Sequence, residues 1–241
     1  IVAEQWEDAS EIARAQVKRG AQILDLCLAN PDRDELDDMR RFLEVVIKKT
    51  RAPLMIDSTD DKVIAMALTY SQGKAIINSI NLEDGEERFQ AVVPLARRFG
   101  AALVVGCIDE VSMGVPRARK LEIAARSYQL LTEKYGIKAE DIYFDPLVFP
   151  CADGDKQYVG SAVETIEGLR LIKQKFPQCK TVLGISNVSF GLPAAGREVL
   201  NSVFLYHCVH AGLDLALVNS EKLERYPHIP VTRLDAKDFA G

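Results

Sequence analysis

APLMIDSTDDKVIAMALTYSQGKAIINSI, residues 52–80, holds one strand–helix–strand unit, and its reading decides the fold. APLMIDS (52–58) is a short apolar run closing on a carboxylate, Asp57. DKVIAMALTYSQ (61–72) follows with apolar residues at helical spacing. KAIINSI (74–80) is a second apolar, β-branched run and carries Asn78. Near-continuous apolar runs of this length fit strands buried on both faces. Two such strands joined through a helix run parallel, because a tight hairpin cannot connect them.

Outward from this stretch the same unit recurs in both directions. AQILDLC (21–27), ALVVGCID (102–109), IYFDP (142–146), TVLGISN (181–187) and LALVNS (215–220) are apolar runs with Asp25, Asp109, Asp145, Asn187 and Asn219 at or near their ends. Asp25 and Asn219 bound six intervals of about 32 residues each, the size of a βα unit. Helical patterns such as ELDDMRRFLEVVIKKT (35–50) and AAGREVLNSVFLYHCVHAG (194–212) fill the gaps, several ending in Lys or Arg before Gly or Pro. No GxGxxG or Walker loop is present, so a doubly wound nucleotide-binding sheet lacks its signature. The expectation is an α/β fold, a (βα)8 TIM barrel, with seven strands identified.

WEDASEIARAQVKRG (6–20) reads as a helix with no strand before it. SEKLERYPHIPVTRLDAKDFAG (220–241) has Pro227 and Pro230 where a last helix would run. One barrel domain over 1–241 is therefore expected, its first strand upstream of residue 1 and its final helix cut short or irregular.

Composition narrows the function classes. Apolar residues make up 48% of the chain, ample for a packed core, so disorder is excluded. The net charge of −5 argues against nucleic acid, which needs a basic face. No apolar run approaches the ~18–20 residues that span a bilayer. The acidic start IVAEQWEDAS is no signal peptide. Five dispersed cysteines without a CxxC pair suit a reduced, cytoplasmic protein better than a disulfide scaffold. His207 and His210 are three apart in an apolar stretch with no nearby carboxylate, so they read as helix-packing residues, and no metal site is expected.

In a (βα)8 barrel the active site lies at the C-terminal mouth of the strands. That mouth would gather Asp25, Asp57, Asn78, Asp145 and Asn187. A single Asp or Asn after a strand also serves as a helix N-cap or turn former. Five at one mouth fit that role less well, because clustered carboxylates repel and lose hydration. They suit a ligand rich in N–H donors. A pterin is one such ligand: one edge presents an amino group and a ring N–H side by side, and further round lie ring nitrogens that an amide reads by donating and accepting. These features alone do not select pterin over other heterocycles. No Ser–His–Asp set is present, and with His so scarce, His-based acid–base catalysis is not expected.

IDST (56–59), INSIN (77–81), FDPLVFP (144–150), GISNVSFGLP (184–193), REVLNSVFLYH (197–207) and GLDLALVN (212–219) together resemble the pterin-binding family of dihydropteroate synthases and methyltetrahydrofolate methyltransferases. Within it, the resemblance is greatest to the folate-binding domain of cobalamin-dependent methionine synthases, and it covers nearly the whole chain. It implies that Asp145 accepts from the pterin amino group and adjacent ring N–H, that Asn78 reads the ring nitrogens, and that Asp57 is the second carboxylate at that edge. Gly184 and Ser186 would line the ring, Asn187 would be the mobile amide near N5, and Arg197 would meet the folate tail or serve as a structural ion-pair partner. Asp25 stands in Asp25-Leu26-Cys27 where many members carry Asp-x-Asn, so it would shape the pocket. Phe190 stands where some corrinoid-protein methyltransferases have Gln. The family's Glu-Arg motif of the first strand is lacking.

The implied activity is transfer of the N5 methyl group of 5-methyltetrahydrofolate to cob(I)alamin, with Asn187 as the catalytic group. Cobalamin would arrive on a separate domain or corrinoid protein, since its usual ligand pattern is not here; the paired-Cys zinc motif of a homocysteine domain is not here either. A stand-alone corrinoid-protein methyltransferase shares nearly every site residue. Dihydropteroate synthase is disfavoured by ISNVSFG and LALVNSEK, which replace its Ser-Arg-Lys and Arg-x-His elements. A non-catalytic folate-binding fragment is the remaining alternative.

Overall fold

The computed structural model describes residues 3–151, 154–220, 223 and 226–229. Helix α1 (Trp6–Lys18) leads to β1 (Leu24–Cys27), α2 (Glu35–Lys49), β2 (Leu54–Asp57), α3 (Asp61–Leu68) and β3 (Ile76–Leu82). Then come α4 (Glu87–Phe99), β4 (Ala102–Asp109), α5 (Arg117–Gln129), β5 (Ile142–Asp145), α6 (Ser161–Lys175), β6 (Lys180–Gly184), α7 (Ala194–Ala211) and β7 (Leu215–Leu217). Seven strands are thus present among the described residues, one for each apolar run. They lie in sequence order from β1 to β7, each hydrogen-bonded to the next. The pairs β1–β2, β2–β3, β5–β6 and β6–β7 are parallel. This is the alternation and strand order of the TIM-barrel class.

Local chemistry explains the boundaries. Asp34 caps α2 by accepting from the Asp37 N–H at 3.1 Å, and Asp60 caps α3 by accepting from Lys62 at 2.8 Å. β5 stops at Asp145 because Pro146 has no N–H to offer a ladder. β4 is buried at every residue except Ile108, which is why its sequence reads as an unbroken apolar run.

One expected boundary moves. The run 181–187 is strand only to Gly184, and Ile185–Ser189 forms a 3-10 turn. Ser189 Oγ donates to the Ser186 carbonyl at 3.1 Å, a local alternative to the ladder. The helix after β4 ends at Gln129 and continues as a π-helical turn, Leu130–Lys134. At the C-terminal end, Tyr226–His228 is a short 3-10 turn around Pro227, whereas Pro230 and the rest of the expected irregular helix lie outside the described residues.

The chain divides into two compact units, Ile1–Ile80 with Glu86–Val104, and Asn81–Gly85 with Val105–Gly241. In the first, Met39 and Leu43 of α2, Met55 of β2, Ile64 of α3, Ile77 of β3 and Phe89 of α4 are fully buried. In the second, Leu169 of α6, Leu183 of β6, Ile185, Val188, and Phe204 and Cys208 of α7 form one cluster. Each such side chain contributes about 1.5–3 kcal/mol when fully buried. Among the described residues no helix is long and apolar enough to cross a membrane. Cys27, Cys107, Cys179 and Cys208 are free thiols. His207 and His210 lie on the exposed face of α7, not in its packed face, with ring centroids 5.4 and 4.2 Å from Tyr206.

Candidate functional site

The first unit brings three of the expected residues together. Register pairs Cys27 with Asp57 and Asp57 with Asn78, so the ends of β1 and β2 and the middle of β3 lie side by side. Asp25 and Cys27, two residues apart on one strand, share a face of β1. The Asn78 side chain favours the ionised form of the Asp25 carboxyl, and the Cys27 side chain that of Asp57. Desolvation by the surrounding protein, then the negative charge of Asp57, raise the Asp25 carboxyl to about 6 against the pull of Asn78. Asp57 is raised as well, by desolvation first and by Glu35 nearby, while the Cys27 thiol works the other way. Glu35, at the start of α2, holds a buried Oε1 without a hydrogen-bond partner. These are crowded acceptors, the arrangement that a donor-rich ligand edge would satisfy.

Arg88 of α4 fastens this group from behind. Its Nη1 donates to the Thr59 carbonyl and its Nη2 to the Ser58 carbonyl, both at 2.7 Å, and its Nε donates to the Ser79 carbonyl at 3.3 Å. One planar guanidinium therefore ties the segment after Asp57 to the Ser79–Ile80 peptide of β3.

In the second unit Asp145 ends β5, and its Oδ1 accepts from the Leu147 N–H at 2.8 Å. Leu147 sits at φ 66°, a left-handed conformation costly for a branched side chain. Thr165 of α6 helps hold it there by donating to the Leu147 carbonyl at 2.8 Å. Burial pushes the Asp145 carboxyl up to about 6, with the Leu147 N–H and the charge of Lys120 pulling it back.

Gly184, Ser186 and Asn187 follow β6. Gly184 precedes the 3-10 turn, and Ser186 and Asn187 are exposed on it. The Asn187 amide turns back toward Gly184, where an added Cβ would lie 3.5 Å from its Nδ2. Arg197 of α7 donates from Nε to Ser189 Oγ at 3.1 Å and from Nη2 to the Ser186 carbonyl at 3.3 Å, so it also secures this turn. A cavity of about 310 Å³ opens beside it, lined by Ser186, Arg197, Glu198, Asn201 and Val218 among others. The Asn201 Oδ1 on its wall is buried and has no hydrogen-bond partner. Among the described residues no three His, Cys, Asp or Glu side chains converge as a metal site would require.

Structure adds Cys27, Glu35, Arg88, Thr165 and Lys120 to the residues that shape these groups. A sequence signal existed for Lys120. It shares the spacing of Ile123, Ala124 and Ser127, the buried stripe of α5.

A family model described as pterin binding enzyme matches residues 1–219. The methionine synthase of Mycobacterium tuberculosis (strain ATCC 25618 / H37Rv) is 38% identical over 233 residues, which cover 95% of this chain and 20% of that protein. The methionine synthase of Mycobacterium leprae (strain TN) is 36% identical over 237 residues, 97% of this chain and 19% of that protein. The chain thus spans about a fifth of the length of these relatives. A dihydropteroate synthase of Coxiella burnetii, solved with pteroic acid, superposes with a TM-score of 0.67 at 17% identity, over 96% of this chain and 87% of that one. A dihydropteroate synthase of Thermus thermophilus gives 0.61 at 22% identity, over 87% of this chain and 82% of that one. At such identities these structures establish the fold alone. Family model and relatives agree over nearly the whole chain, and it belongs to the pterin-binding enzyme family.

Proposed function

We propose that this chain is a folate module of the methionine synthase type, which binds 5-methyltetrahydrofolate and passes its N5 methyl group to cob(I)alamin carried by another domain or protein. The observation that carries this reading is the 38% and 36% identity to methionine synthases over almost the full chain. Under it, 1–241 is one pterin-binding domain working in the reducing cytoplasm, where free thiols persist.

Each site residue then has a task. Asp145 accepts from the pterin amino group and neighbouring ring N–H, a paired contact that rejects ligands lacking either donor. Asn78 reads the ring nitrogens, Asp57 supplies the second carboxylate, and Asp25 shapes the pocket by holding the Asn78 amide. Gly184 and Ser186 line the ring, and Arg197 meets the folate tail while keeping the turn in place. The methyl group leaves a tertiary amine, a poor leaving group until N5 is protonated or strongly hydrogen-bonded. Asn187, exposed on its turn, is the group proposed to donate there as charge changes at N5. Cob(I)alamin supplies the nucleophile when it docks, so the chain contributes orientation and polarity.

Binding is the first test. Titration calorimetry of the chain with 5-methyltetrahydrofolate should give a saturable single site. No heat and no competition by other reduced pterins would reject the reading.

A further inference from the structure

Lys120 is 0% exposed, one of the largest wholly buried side chains in the chain. A buried ammonium is costly unless its donors are used. Its Nζ donates to the Gly114 carbonyl at 2.8 Å and to the Pro146 carbonyl at 2.5 Å, and it lies 5.2 Å from the centre of the Phe149 ring. The Pro146 carbonyl belongs to the same peptide group as the Leu147 N–H, which donates to Asp145 at 2.8 Å. That peptide plane is therefore gripped at both ends, by an ammonium on its oxygen and a carboxylate on its N–H. Polarisation along such a chain strengthens both bonds.

The space for Lys120 is built for it. A Cβ on Gly168 of α6 would lie 2.7 Å from the Lys120 Cδ. One on Gly114 would lie 3.3 Å from the Lys120 backbone N and Cα and 3.0 Å from the Cys107 carbonyl. No side chain larger than hydrogen fits at Gly168 without moving the lysine stem.

We infer that Lys120 is a positioning residue, whose buried ammonium sets the Pro146–Leu147 peptide and holds Asp145 as a ligand-ready carboxylate. The inference rests on the folate reading only for the identity of that ligand. The charged and titratable groups facing Lys120 are Cys107 of β4, Asp145 of β5 and Glu164 of α6, the last of which is paired with Arg117 of α5. Asp145 in turn faces Lys120 and Cys107. Burial pulls the Lys120 ammonium down to about 8, so it is still mostly charged at neutral pH.

The test titrates the Asp145 carboxyl by carbon-13 NMR in the full chain without ligand, for wild type, Lys120→Met and Lys120→Arg. Folate affinity is then measured against pH for the same proteins. The inference expects the Asp145 midpoint to rise by about one pH unit or more in Lys120→Met, with the acid limb of folate binding moving up alongside it. Lys120→Arg, which keeps the charge, should restore most of the shift. A purely packing role would lower affinity equally at every pH and leave the midpoint in place, and that result would overturn the inference. If Lys120→Met does not fold, Gly168→Ala displaces the stem while keeping every charge. It should raise the Asp145 midpoint and speed exchange of the Leu147 amide, and unchanged values overturn the inference equally. Because the carboxyl titration needs no ligand, a shifted Asp145 in a protein that ignores folate would sink the functional reading and leave this one standing.

Discussion

Asp145 shows at residue scale how a group proposed for binding costs stability. Its carboxyl titrates near 6 in the folded chain, against an ordinary value of 3.8. Between those values the folded state keeps a proton that the unfolded chain has released, so stability falls as pH rises through that window. Above about 6 the full deficit is present, roughly 3 kcal/mol for a midpoint displaced by about two pH units. Asp145→Asn should therefore unfold at higher denaturant concentration than wild type near neutral pH, with the advantage disappearing toward about pH 4. Equal midpoints at neutral pH would show that the buried charge is not destabilising. The same group is expected to be needed for binding: Asp145→Ala and Asn78→Ala should each weaken 5-methyltetrahydrofolate by about 2–4 kcal/mol in calorimetry. Unchanged affinity in both would dismiss the pocket assignment. Asp57, Asn78 and Asp145 were legible because each ends or punctuates an apolar run. Lys120 was hidden by its charge, since ARKLEIAARS reads as a basic helix surface unless the 120/123/124/127 spacing is followed.

Elements place these residues, and not every side chain that holds the elements lies in the motifs. Arg88 is the case in the first unit: three carbonyls beyond β2 and within β3 depend on one guanidinium. Arg88→Met would orphan them, and denaturation should show a loss of about 2–4 kcal/mol. Arg88→Lys, a point charge without the planar fork, should recover only part of it. Full stability in Arg88→Met would mean that water replaces the guanidinium at no cost. The strands were readable because burial on both faces leaves an apolar run, and the helices because their stripes and caps recur. The end of β6 was not, because the choice between strand and turn at 185–189 is made by Ser189 bonding back to Ser186 and by Arg197 arriving from α7, and strand propensity does not report either.

At the largest scale, the chain spans about a fifth of the length of the methionine synthases it matches, and the proposed function assigns the methyl acceptor to another domain or protein. Under that proposal, folate binding and methyl transfer are separable. Asn187 is exposed on a turn, and its replacement by Ala should slow methyl transfer far more than it weakens folate binding; equal rates would remove it from N5. Dihydropteroate synthases share the fold but perform a different reaction, so one comparison decides the central claim. The chain is incubated with 5-methyltetrahydrofolate and cob(I)alamin, and separately with a hydroxymethyl-dihydropterin diphosphate and p-aminobenzoate, and the pterin products are separated by chromatography. The account predicts tetrahydrofolate in the first incubation, dependent on cob(I)alamin and Asn187, and no condensation in the second. Dihydropteroate in the second, with 5-methyltetrahydrofolate untouched in the first, would contradict it.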